Sequence, residues 1–160
     1  MTDLFLDCEW ADVLGADLVS IGLVSMNGEQ VFYAEREVLP ADPTPFVAHV
    51  VYPLLERGDH AMADAEITRA LRRFLAAIDR PRVCHDFGND RTLRQHVLDR
   101  FGIHEPDGPT PVDLRWQRMN DMPPFMARWW TEHRECHAHR HHALTDARTL
   151  RAACLSLWGM

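Results

Sequence analysis

Leu4-Phe5-Leu6-Asp7-Cys8-Glu9-Trp10 runs three apolar residues straight into two carboxylates set two apart. In a strand, residues i and i+2 point to one face, so Asp7 and Glu9 project side by side. Leu4 and Leu6 mark the stretch as a buried central strand. Two adjacent carboxylates beside a core are costly unless a cation lies between them. Oxygen ligands suit a hard divalent ion such as Mg²⁺. An ion held there needs further ligands from other parts of the chain.

Leu18 to Val24 is a second apolar strand, and Asn27-Gly28 signals a type I′ hairpin into a third strand, Val31 to Ala34. These strands predict a three-stranded antiparallel meander. Phe46 to Leu55 has helical spacing but contains Pro53, which predicts an interrupted helix. Asp64 to Ile78 is an amphipathic helix, with Arg69, Arg72 and Arg73 on its outer face. Arg82 to Cys84 is a short fourth strand, Asn89 to Phe101 a helix and Val112 to Leu114 a fifth strand. Phe125 to Cys136 has helical character, and Ala143, Ala147, Leu150, Cys154 and Leu157 predict a final helix. Hairpin-linked strands followed by alternating helices and strands imply a mixed five-stranded α/β sheet flanked by helices, in a single domain over residues 1–160.

No apolar run is long enough to span a bilayer, and the N-terminus lacks the shape of a signal peptide. A cytoplasmic protein with no membrane partner is expected. The four cysteines form no C-x-x-C pair and read as reduced thiols. A net charge of −7 argues against a general nucleic-acid binder. The charge is uneven: residues 1–66 carry 13 acids against Arg36 and Arg57, while the remainder is rich in Arg and His.

Two more acids have the setting of a ligand. Asp90 starts a helix and shares a face with Leu93 and Val97, which turns it toward the sheet. Asp146 lies in the first turn of the last helix, four residues before Leu150. His141, in the loop feeding that helix, suits a general base near neutral pH. Trp10 is either a stacking platform for a base or a core aromatic. Arg128, Arg134 and Arg140 are phosphate candidates. Cys136, His137, His139, His141 and His142 invite a zinc reading, but no second ligand pair stands at finger spacing. A His- and Arg-rich loop that meets phosphates is the simpler reading.

Asp7-x-Glu9, Asp90 with Leu93, and His141-His142-Ala143-Leu144-Thr145-Asp146-Ala147 resemble the three motifs of the DEDDh 3′-5′ exonucleases, which have a ribonuclease H-like fold. The third motif, His-x-Ala-Leu-x-Asp-Ala, matches at every defined position. The short length, the stretch Leu18 to Gly22 and the hairpin look most like the small bacterial RNase AS-like exoribonucleases. The second motif departs from the pattern. Asp86 and Asn89 stand where the family often has Asn and an aromatic, and Asp86 reads as a loop cap ahead of a supplement to the site.

The resemblance implies a 3′-5′ exoribonuclease that releases nucleoside 5′-monophosphates from single-stranded RNA with two Mg²⁺ or Mn²⁺ ions. Asp7, Glu9 and Asp146 would hold the first ion. Asp7 would bridge to the second, which Asp90 also serves, and His141 would be the base. Trp10 and Arg140 would meet substrate. The resemblance also implies a possible homodimer. A DNA exonuclease of the same fold, or a catalytically silent RNA-binding module, are the alternative readings.

Overall fold

The computed structural model describes residues 1–88, 114–120 and 122–159. The expected helix at Asn89 to Phe101, with Asp90, lies outside the described residues, as do Val112 and Asp113 of the expected fifth strand.

Six strands form one mixed sheet: β1 (Thr2–Trp10), β2 (Leu18–Ser25), β3 (Val31–Arg36), β4 (Ala61–Met62), β5 (Pro81–His85) and β6 (Arg115–Arg118), in the order β4-β3-β2-β1-β5-β6. β1, β2 and β3 form the expected antiparallel meander, and β5 joins β1 in parallel. The count exceeds the expected five because of β4, a two-residue ribbon on the β3 edge. Two residues carry no readable alternation. The last strand begins at Arg115, just after the apolar run that suggested it.

The hairpin between β2 and β3 is present, but its turn is not type I′. That turn needs positive φ at both central residues. Here Gly28 has φ +80° and Asn27 does not share it. Asn27 instead works through its side chain, whose oxygen accepts from Ser25 Oγ at 2.6 Å and from the Glu29 amide at 3.2 Å. The longer loop follows from that bonding.

The two faces of β1 divide the core. Leu4, Leu6 and Cys8 face one way and pack with Ile21, Leu23 and the stripe Ile67, Leu71 and Leu75 of helix α1 (Asp64–Ala76). Phe5 faces the other way, onto Ala147, Leu150 and Cys154 of helix α3 (Ala143–Trp158) and Met122 at the start of helix α2 (Pro123–Glu132). Arg72 is buried rather than on the outer face of α1, where the sequence placed it. Between Val47 and Leu54 the expected interrupted helix is a π turn followed by a 3₁₀ turn, with Pro53 in the second.

One contact sets how closely α3 can lie on the sheet. Gly22 of β2 pairs with Asp7 on one side and Tyr33 on the other. A Cβ built on Gly22 would stand 2.5 Å from Leu144 Cα and 2.6 Å from the Ala143 carbonyl carbon. The first turn of α3 thus rests on bare backbone, beside the Asp7 position. No helix among the described residues is long and apolar enough to cross a membrane.

Candidate active site

The site forms where the end of β1 meets the start of α3. Asp7 and Glu9 project from the α3 face of β1, as alternation requires. Glu9 is the last residue in regular register, because a bulge follows between Glu9 and Trp10. One ligand atom each from Glu9, His141 and Asp146 lies within 4.8 Å of the others. Among the described residues these three form the cluster with metal-ligand spacing. Asp7 stands two residues upstream on the same face, opposite Gly22. Cys136, His137 and His139 are not in the cluster. His137 Nε2 instead lies 2.7 Å from the Trp130 carbonyl oxygen.

The local backbone explains how His141 and Asp146 meet. A 3₁₀ segment, Arg134–His139, ends at Arg140, and His141 then takes φ +72°. A left-handed backbone is unusual for a side chain with a Cβ and often marks a functional site. The His141 amide donates to Asp146 Oδ2 at 3.1 Å, which folds the loop back over the first turn of α3. The exposed ring of Phe46 meets the His141 ring edge-on, with centroids 4.9 Å apart.

Burial dominates the electrostatics. Asp146 Oδ1 is buried with no hydrogen-bond partner among the described residues. Desolvation pushes the Asp146 carboxyl up to about 7, against the His141 amide and the Arg140 charge, which favour the ionised form. Asp86 is also raised by burial. His141 is lowered, first by burial and then by Arg140, so its imidazole is neutral at pH 7. An orphaned buried carboxylate oxygen beside another carboxylate and a neutral imidazole is a donor set that fits a divalent cation.

A cavity of about 380 Å³ opens beside the cluster. Pro123, Met126, Ala127 and Trp130 supply an apolar wall, and Asp86, Thr131, Arg140, His141 and Asp146 a polar one. The Arg140 guanidinium lies 5.9 Å from the Trp130 ring centroid. Trp10 is half-buried and packs against the α1-side core, whereas Glu9 belongs to the opposite face. Asp86, which the sequence offers as a loop cap or a supplement to the site, lines the same cavity as Asp146. Its place two residues after the buried Cys84 of β5 was the available signal. Asp90 lies outside the described residues.

No protein-family model matches the chain, and no curated protein matches it. Solved structures do. The exonuclease domain of Mopeia virus, from a complex soaked with alendronate, superposes with a TM-score of 0.54 at 18% identity, covering 96% of this chain and 78% of that one. The same viral domain partially complexed with manganese gives a TM-score of 0.53 at 17% identity, over 96% and 77% of the two chains. At this identity the likeness is one of fold. The chain has the mixed α/β, ribonuclease H-like fold of these viral exonuclease domains.

Proposed function

We propose that the protein is a metal-dependent 3′-5′ exoribonuclease, of the kind to which the RNase AS-like group belongs. The observation that carries this reading is the convergence of Glu9, His141 and Asp146 from opposite ends of the chain on an exonuclease-type fold. The manganese found with the viral domain supports a divalent ion here.

Asp7, Glu9, Asp90 and Asp146 would hold two Mg²⁺ or Mn²⁺ ions. Such a pair supplies an activated water and neutralises charge on the scissile phosphodiester. The neutral imidazole of His141 accepts the proton of the attacking water. His141 reaches the reaction through a loop whose shape Asp146 itself maintains. Arg140 faces the phosphates at the mouth of the cavity. The apolar wall around Trp130 accepts the flat face of a nucleotide. The acidic cluster repels a bare phosphate until the ions are bound.

Incubation with Mn²⁺ or Mg²⁺ and single-stranded RNA labelled at its 3′ end is expected to release labelled nucleoside 5′-monophosphate. Asp7→Ala and Asp146→Ala are each expected to abolish that release. DNA of the same sequence is expected to be the poorer substrate. Activity that survives either substitution, or that continues in EDTA, would sink the proposal.

A further inference from the structure

The residue after the candidate base is the buried one of the pair. His142 is 6% exposed and its ring stacks on Tyr33, with centroids 4.5 Å apart and planes 29° from parallel. Its Nε2 lies 3.3 Å from Glu56 Oε1, and neither ring nitrogen makes a hydrogen bond among the described residues. The loop that the sequence reads as meeting phosphates therefore sends one of its two adjacent histidines into the fold. His141, left in the site, carries the positive φ.

The partners of His142 share one support. Glu35 of β3 is 0% exposed. Its Oε1 accepts from the Tyr33 hydroxyl at 2.7 Å and from the Glu56 amide at 2.6 Å, and its Oε2 accepts from the Arg57 amide at 3.1 Å. Arg57 has φ +58°, a strained turn that these bonds hold, and its guanidinium donates to the Arg36 and Glu37 carbonyls at 2.9 and 2.7 Å. A fully buried carboxylate with several donors is a rigid point in the fold. From it, Tyr33 supplies the flat face under His142 and Glu56 the charge at its edge.

We propose that Glu56 is a positioning residue for His141, acting through His142 from a perch that Glu35 makes rigid. This rests on the reading of His141 as the base of a nuclease. Among the described residues, the His141 ring meets Phe46 edge-on and its polar neighbours Glu9 and Asp146 are themselves candidate ligands, so its backbone has a share in its alignment. The Asp146 carboxylate holds that backbone from one side, and the docked His142 ring holds it from the other.

Glu35 variants put the fold at risk, so the test uses Glu56, which is half exposed. Loss of alignment slows the proton step without weakening substrate binding. Glu56→Ala is expected to lower kcat on RNA by about tenfold, with KM within about twofold of wild type and an unchanged melting temperature. Glu56→Gln keeps an oxygen beside His142 Nε2 and is expected to restore most of the rate. Imidazole spectra of histidine-labelled, metal-free protein give a readout that needs no catalysis. The His141 ring is expected to give one signal in wild type and a broadened or doubled one in Glu56→Ala. An unchanged kcat, a KM that rises in step with the loss of kcat, or a single sharp His141 signal in the variant would overturn the proposal. Wild type that releases no nucleotide would instead remove the nuclease reading, and the spectra alone would then decide the placement of His141.

Discussion

At the scale of single residues, Asp146 carries the sharpest tension. Its carboxyl is buried in the first turn of α3, and burial holds its pKa at about 7, well above the ordinary carboxylate range. Between that range and pH 7 the folded protein keeps a proton that the unfolded chain releases. The stability this proton brings to metal-free protein is fully present at acid pH. It is lost as pH rises from the ordinary carboxylate range through 7, at on the order of 1.4 kcal/mol for each pH unit crossed. Asn at this position keeps an acceptor for the His141 amide and has no charge to desolvate. Asp146→Asn is expected to melt several degrees higher than wild type in EDTA at pH 8, to lose that advantage toward pH 4, and to have no nuclease activity. Thermal melts across pH test this. Such a trade fits the ligand role proposed for Asp146. That Asp7 and Glu9 share one face of a strand, and that Asp146 stands in the first turn of a helix, is readable from residue type and spacing. The burial of His142 and the positive φ of His141 are not. Adjacent histidines in a polar run carry no periodic signal, and tertiary contacts alone decide which of them turns inward.

At the scale of elements, the approach of α3 to β2 brings the third motif to the first. Any side chain at Gly22 would press its Cβ into the backbone of Ala143 and Leu144, which has no rotamer with which to yield. Helix α3 is also fastened farther along, where Arg151 Nε donates to the Met26 carbonyl at 2.8 Å and Leu150 packs on Phe5. An added side chain would therefore tilt the helix start rather than shift the whole helix. Gly22→Val is expected to cost about 1–3 kcal/mol of stability by overpacking. Its loss of nuclease activity is expected to be far greater, because Asp146 and His141 both leave Glu9. Denaturant melts and activity at a temperature where the variant is fully folded separate the two effects. Most elements are legible in the sequence because α1 and α3 have clean 3.6-residue periods and the meander strands are short apolar runs bounded by turn residues, buried on both faces. Gly22 is not legible in its role, since a glycine in an apolar strand reads equally as a bulge or a close approach.

At the scale of the molecule, the mixed sheet with helices on both faces follows from hairpin-linked strands giving way to alternating helices and strands. The order of the strands does not, because β5 and β6 are short and the partners they choose are far away in sequence. That order leaves β1 inside the sheet, between β2 and β5, with Leu4, Phe5 and Leu6 wholly covered. The two halves of the site thus differ in how hard they are to dismantle. Glu9 extends from the best-protected strand, whereas His141 hangs from an exposed, locally held segment that can open alone. Gentle heating should release the histidine side while the carboxylate side stays in place. Under the proposed function, turnover should then fade several degrees before the far-ultraviolet signal of the sheet does. Hydrogen exchange should find the amides of residues 134–142 faster than those of residues 4–8. A site built this way opens early and reversibly, with the fold around it intact and ready to close it again on cooling.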